Sequence, residues 1–276
     1  MRPDYLLLGH VTRDVLPDGS TTPGGTSLYA AWMVQRLAYQ AAIVSAPAEL
    51  PPDFPGDIAI AFHQSPTPPT FENRYSPTGR QQILHAASTP IALDDVPQAW
   101  RDAPIVHLAP VLAETPEALA QAFPNALLAV TPQGWMRTWP EHLPGPVQYR
   151  PWLPSRELLR RLDALILSIE DVQGDEALIR SWAAECKLVA LTRGANGATL
   201  FVAGQPTHVP AYPATERDPT GAGDVFAAAL LVRLHETGNP LLAAHFAAAA
   251  AAVSVEGRGV SSLPTRPQIE QRLAQL

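Results

Sequence analysis

Lysine is almost missing from this chain: Lys187 is the only one in 276 residues. The arginines include singly scattered ones (Arg2, Arg13, Arg36, Arg74, Arg80), and the formal net charge is −7. Without a basic cluster, nucleic acid and anionic membranes are set aside as principal partners. Cysteine is equally scarce. Cys186 alone can close no internal disulfide and build no multi-cysteine metal site, so a small buried apolar side chain is its expected role. His10, His63, His85 and His107 do not fall at metal-ligand spacings. Long hydrophobic runs are lacking too. The longest, LLAAHFAAAAAAVSV at 241–255, is mostly alanine, is interrupted by His245 and is too short to span a bilayer. The opening MRPDYLLLGHV carries an acid at Asp4 and only a short apolar run, unlike a signal peptide, and a soluble cytoplasmic protein is the expectation. Familiar phosphate signatures also fail. There is no GxxxxGKS or GxxxxGKT loop, Gly9 is followed by HVTRD rather than by a GxGxxG run, and the HRD and DFG elements of protein kinases are absent.

What is present is ample core material: 46% of residues are hydrophobic and 16% charged. YLLLG (5–9), AAIVSA (41–46), DIAIAF (57–62), IVHLAP (105–110), NALLAVT (125–131), DALILS (163–168), KLVALT (187–192) and ATLFVA (198–203) read as strands. SLYAAWMVQRLAY, TPEALAQAF, SRELLRRL and DEALIRSWAAE read as helices, and 224–276 is expected to be wholly helical apart from EGRGVSS. This alternation predicts a single α/β unit with a mostly parallel sheet and helices on both faces. FENRYSPTGRQQIL (71–84) alternates about a central SPTG bend and reads as a hairpin outside the core. The prolines, 30 in all, gather in connections such as QSPTPPT. His107, on an apolar strand, is expected to be a satisfied core histidine, and Trp100, Trp135, Trp139 and Trp152 to cap the core. PQGWMR (132–137) follows a strand and is a candidate to reach a cleft at the sheet's carboxyl edge.

The most informative stretch is DPTGAGDVFAAALL (218–231). Gly221, Ala222 and Gly223 form a small-residue turn before an alanine-rich helix. Backbone N–H groups and the positive end of the helix dipole there favour an anion. Asp224 stands inside that turn, where an aspartate can equally serve as a helix cap.

DPTGAGDVFAAALL resembles, over its whole length, the C-terminal signature of the ribokinase-like carbohydrate kinases, the PfkB family. GHVTRDVL (9–16) resembles the family's first strand and its sugar-binding aspartate, at Asp14; PGG (23–25) resembles the di-glycine motif. LTRGANGATLFV (191–202) is similar to the strand–turn–strand along the nucleotide, and AAAVSVEGRGVSSLP (250–264) to the helix and loop beside the adenine. These segments keep the family order across nearly the whole chain.

The resemblance implies a three-layer α/β/α ribokinase-like sandwich, a single domain over 1–276 with a small β lid from about 10–24 and 69–92. It implies ATP-dependent phosphorylation of a hydroxyl on a small sugar or polyol, with Asp224 as general base and the Gly221, Ala222 and Gly223 backbone as anion hole. Asp14, Gly24, Gly25 and Tyr29 would line the substrate, and Thr192, Gly194, Gly197 and Ser168 the nucleotide. The family's magnesium motif, Asn-x-x-Glu, becomes LSIED here: Ser168 and Asp171 take its two places, with Glu170 adjacent, and Mg2+ would be held through water. Asp218 matches the head of a monovalent-cation loop, K+ being the ion, and also reads as an Asp-Pro turn. Tyr29 stands where the family often has Asn, and Thr26 where ribokinases have Lys, so ribose itself is disfavoured. GHVTRDVLPDG and TFENRYSPTGRQQIL are most similar to the myo-inositol kinase branch. Asn73, Arg80 and Gln82 would face the pocket or form a solvated hairpin face. Two alternatives stay open: a nucleoside kinase, favoured by aromatic stacking at Tyr29, and an idle ligand-binding homologue, kept by Ser168 and Tyr29 in place of Asn. A homodimer through an exposed lid edge is compatible with the family.

Overall fold

The computed structural model describes residues 1–76 and 79–275, with backbone only at 75, 76, 79 and 80. The strands of the first half are β1 (Tyr5–Leu8), β2 (Thr12–Val15), β3 (Thr21–Gly24), β4 (Ala41–Ser45), β5 (Ala59–Phe62), β6 (Thr70–Ser76), β7 (Gly79–Ala86), β8 (Ile105–Leu108) and β9 (Leu127–Val130). Three two-residue strands follow, β10 (Arg137–Thr138), β11 (Gly145–Pro146) and β12 (Gln148–Tyr149). The series ends with β13 (Ala164–Ser168), β14 (Leu188–Thr192), β15 (Ala198–Val202) and β16 (Gln205–Val209). The α-helices are α1 (Thr26–Arg36), α2 (Arg156–Arg161), α3 (Glu176–Ala183), α4 (Ala222–Thr237), α5 (Pro240–Ser254) and α6 (Arg266–Leu273).

Nine strands form the main sheet in the order β16-β15-β14-β13-β9-β8-β1-β4-β5. From β14 to β5 every pairing is parallel, while β15 and β16 turn back antiparallel. β1 lies deep in the sheet, all four of its residues fully buried. Side chains alternate across a strand, so Tyr5 and Leu7 join one core with α1, α4 and α5 while Leu6 and Leu8 join the other with α2 and α3. The sandwich follows from that alternation: strands apolar on both faces need a helical layer on each side.

A second, five-stranded sheet has the order β11-β7-β6-β2-β3. Its strands come from 12–24 and 70–86, with a third contribution from Gly145–Pro146 that the sequence pattern does not announce. Phe71 and Leu84 pack from it onto Val111 and Leu112 of the body. The SPTG bend lies partly outside the described residues.

Local signals behave as expected where a cap is present. Ser155 accepts from the Leu158 N–H (3.1 Å) and Asp175 from the Leu178 N–H (2.9 Å), opening α2 and α3. TPEALAQAF is a correction: Glu117–Ala122 forms 3-10 turns, not an α-helix. Pro116 at its head supplies no side-chain cap, whereas α2, of the same six residues, is capped by Ser155. Trp135 and Trp152 also exceed their expected role, being core residues rather than lids over the core: Trp135 packs tilted on Trp152, which meets Trp182 edge-on. His107 is a satisfied core histidine, bonded to the Tyr5 hydroxyl (2.9 Å) and Thr131 Oγ1 (3.0 Å). Cys186 is buried, and burial pushes its thiol up to about 12. No described helix is long and apolar enough to cross a membrane.

Candidate active site

Helix α4 begins at the carboxyl edge of the main sheet, and its first turn carries the small-residue motif. Gly221 is the N-cap in a left-handed conformation, φ 78°, with no side-chain cap. A Cβ there would lie 2.2 Å from Cδ1 of Tyr29, so the tyrosine ring rests flush on the glycine. A Cβ on Gly223 would meet nothing within 4 Å, so that side of the turn is open. Ala222 departs from expectation. Its N–H already donates to Pro219 O (3.2 Å), whereas the N–H groups of Gly221, Gly223 and Asp224 have no partner among the described residues. The anion hole this turn offers therefore centres on Gly221, Gly223 and Asp224.

Asp224 keeps some solvent contact, yet the concave surround desolvates its carboxyl and raises its pKa from 3.8 to about 6. A hydrogen bond with Thr26 pulls the other way, the Asp171 charge adds to the rise, and Arg137 opposes it. Tyr29 is buried as well. Its phenol is pushed up first by burial and then by the charges of Asp218, Asp224 and Asp14. One tyrosine thus marks the meeting point of three predicted acids.

Asp14 comes from β2 of the second sheet. Thr12 Oγ1 donates to its Oδ1 (3.3 Å), and β2 pairs with β3 so that Thr12 opposes Gly24. A Cβ on Gly24 would lie 2.6 Å from Asp14 Oδ2, so the di-glycine motif is what lets that carboxylate pack against the backbone. Gly25, at φ 91°, then caps α1 and delivers Thr26 and Tyr29 to the cleft.

Ser168 and Asp171 come together differently from a simple ligand pair. Ser168 Oγ accepts from Glu170 N (3.2 Å) and Ser168 N donates to Asp171 Oδ2 (2.8 Å), a capping box that fixes the turn after β13. Asp171 Oδ1 accepts from Gln133 Nε2 (3.0 Å), and Gln133 Oε1 accepts from Arg137 Nη2 (2.8 Å). PQGWMR therefore reaches the cleft, and Arg137 also lies 5.8 Å from the Phe71 ring of the second sheet. Gln133 and Arg137 gain their place only through folding; the strand-to-turn position was the one signal for them. Asp218 closes its own turn, Oδ1 accepting from Thr220 N (3.0 Å). Asn73 Oδ1 accepts from Gln82 Nε2 (3.1 Å), and the Arg80 side chain lies outside the described residues.

On the open side of the turn is a cavity of about 500 Å³. Thr192, Gly194, Gly197, Ala222 and Gly223 line it, with alanines of α5 behind and Glu216 as its one charged lining residue. Its apolar, small-residue walls suit a planar base, and its mouth meets the unpaired N–H groups. No group of three or more His, Cys, Asp or Glu side chains among the described residues is placed to grip a metal. Glu170, exposed, and Asp171 beside it suit a hard cation that keeps most of its water.

A different cluster ties the second sheet to the body. His10 and His63 are buried and stacked, centroids 4.8 Å apart. His10 Nδ1 accepts from Ala46 N (3.0 Å), so its Nε2 carries the proton, facing Thr89 O (3.3 Å) and His63 Nε2 (3.2 Å). Burial lowers His10 to about 3, keeping it neutral.

Residues 162–266 match the model described as pfkB family carbohydrate kinase. Bifunctional protein HldE of Rhodopseudomonas palustris is 41% identical over 91 residues, 33% of this chain but 18% of that protein. The cytidine kinase of Thermococcus kodakarensis is 26% identical over 270 residues, covering 86% of this chain and 90% of the relative. A pyrophosphate-dependent kinase in the ribokinase family, solved with a pyrophosphate analog and myo-inositol, superposes with a TM-score of 0.78 at 23% identity, over 97% of this chain and 99% of the other. Arabidopsis thaliana ribokinase, solved with ribose and ATP, gives 0.74 at 22% identity, over 99% of both. Residues 162–266 thus match the pfkB family carbohydrate kinase model, in a chain that has the ribokinase-like fold over its whole length.

Proposed function

We propose that the protein transfers the γ-phosphate of ATP to a hydroxyl of a small, uncharged sugar or polyol, an inositol among the candidates. The observation that carries this reading is Asp224: a carboxylate with its pKa raised to about 6, set in a helix-opening turn whose neighbouring N–H groups are unpaired. A base near neutrality accepts a proton from an attacking hydroxyl without being too weak to hold it. The N–H groups of Gly221, Gly223 and Asp224 stabilise negative charge gathering beside it. Asp14 accepts hydrogen bonds from the acceptor's other hydroxyls, and the Tyr29 ring, seated on Gly221, orients the acceptor between Asp14 and Asp224. When bound, magnesium ATP supplies the phosphoryl group and neutralises charge on its oxygens. Glu170 and Asp171 would hold the metal through water, and the 500 Å³ cavity would hold the nucleoside. Neither lysine nor arginine lines that cavity, which favours a nucleoside over bare pyrophosphate as the donor's anchor. Asp218 is assigned to its Asp-Pro turn, with a K+ role open to test by omitting potassium.

Product formation from ATP or pyrophosphate with sugars, inositols and nucleosides tests the reading. Transfer from ATP that Asp224→Asn lowers by roughly a thousandfold or more, the scale of a general base and its neighbourhood, is the expected result. Full transfer by Asp224→Asn removes the base assignment. A nucleoside acceptor is the second reading, favoured by the 86% coverage of the match to a cytidine kinase.

A further inference from the structure

A second cavity, of about 310 Å³, opens between β7 of the small sheet, the 132–137 turn, β12 and the turn after β13. Arg137 and Asp171, whose charges both act on Asp224, stand in its wall. A molecule seated there is therefore a neighbour of the proposed base. Its volume falls at the lower end of ligand pockets, about 300–1,000 Å³.

The wall is made mainly of neutral hydrogen-bonding groups. Of its 10 lining residues 4 are glutamines, at 82, 133, 148 and 173. Each amide presents donors and an acceptor without charge. Gln133 is fixed at both ends, between Asp171 and Arg137. Gln82 gives one side-chain N–H to Asn73, while its side-chain carbonyl and the whole Gln148 side-chain amide have no partner among the described residues. Arg137 offers little to an anion. Its Nη1 donates to Val111 O (2.7 Å) and its Nη2 to Gln133, and two carboxylates, Glu170 and Asp171, share the wall with it.

We propose that this cavity is a second compartment of the acceptor site. It takes an uncharged ring bearing both hydrogen-bond donors and acceptors, joined to the ring that presents the reacting hydroxyl to Asp224. Such a ring is the base of a nucleoside or the second sugar of a glycoside. The inference rests on the transfer chemistry proposed above and, of the acceptors named there, selects the two-ring ones over a lone sugar or inositol. Gln82, on β7, and Gln148, on β12, recognise that ring.

The test measures kcat/KM with ATP for one-ring acceptors (ribose, myo-inositol) and two-ring acceptors (cytidine, adenosine, maltose). Wild type, Gln82→Leu and Gln148→Leu are compared, with Gln→Met forms replacing any variant that melts early. A two-ring acceptor is expected to exceed the one-ring acceptors by about tenfold or more, the discrimination of one or two neutral hydrogen bonds. Both substitutions should shrink that ratio, mainly through KM. A nucleoside preference identifies the base, and a maltose preference the second sugar. Ribose or inositol turned over best, or a ratio unmoved by both substitutions, overturns the compartment while leaving the kinase reading intact. Turnover of no acceptor overturns both.

Discussion

Replacing Gly221 by alanine asks the backbone to hold an L-residue at φ 78° and asks a methyl group to share space with the Tyr29 ring. The left-handed conformation costs about 1–2 kcal/mol. A Cβ placed 2.2 Å from Cδ1 and 2.5 Å from Cε1 cannot be absorbed by a terminal rotation, because the ring is buried. Overpacking of that kind costs about 1–3 kcal/mol. The narrower unfolded ensemble of alanine returns about 0.4–1 kcal/mol, leaving a net loss of roughly 2–4 kcal/mol. In a chain of this size that lowers Tm by roughly 5–15 °C. Urea denaturation of the single variants and of Gly221→Ala with Tyr29→Ala separates the two terms. Removing the ring relieves the steric part, so the double variant should lose about 1–3 kcal/mol less than the sum of the singles. Gly221→Asn, which tolerates the left-handed region but keeps a Cβ, should show the steric part with little of the conformational one. Additivity of the pair within about 0.5 kcal/mol would refute the packing of Tyr29 on the transfer turn.

Three further outcomes follow from the geometry. With Asp224 at about 6, kcat/KM should fall as pH drops below that value, because the base is then protonated; a flat profile from pH 5 to 8 would place the base elsewhere. The same raised pKa makes the charged carboxylate a burden on folding above pH 6, relieved as pH falls toward the unfolded value of 3.8, so Asp224→Asn should raise Tm at pH 8 and lose that gain near pH 4. His10→Phe leaves the Ala46 N–H without an acceptor in a buried stem, and calorimetry should show a loss of about 1–3 kcal/mol, with a raised acceptor KM where the second sheet joins the body.

The main sheet was legible because YLLLG, KLVALT and their like are short apolar runs whose meaning does not depend on distant partners. α4 and its turn were legible because glycine at a positive φ and an acid in the first turn are local necessities. The smaller sheet was only partly so. TRDV and TTPG are short and polar, and they become strands by pairing with each other and with β6. Gly145–Pro146 joins β7 across about 60 residues of chain, a register no periodicity encodes. Ala222 was assigned to the anion hole from the motif's resemblance and its place at the helix start, and the Pro219 carbonyl that occupies its N–H depends on how the loop closes. PQGWMR signalled its approach to the cleft, but the role of Gln133 within it was hidden for a similar reason: it lies in bridging Asp171 and Arg137.

The placement of β1 sets a schedule for synthesis on the ribosome. Its neighbours are β4, which follows within some 40 residues, and β8, which begins at Ile105. One edge of a wholly apolar strand thus stays unmatched until about a hundred more residues emerge, roughly 5–20 s at ordinary elongation rates. Over that interval the nascent chain presents a hydrophobic template with open backbone groups. A pause or truncation between residues 45 and 105 would expose it longest, making that window the one where chaperone binding or co-translational aggregation should concentrate.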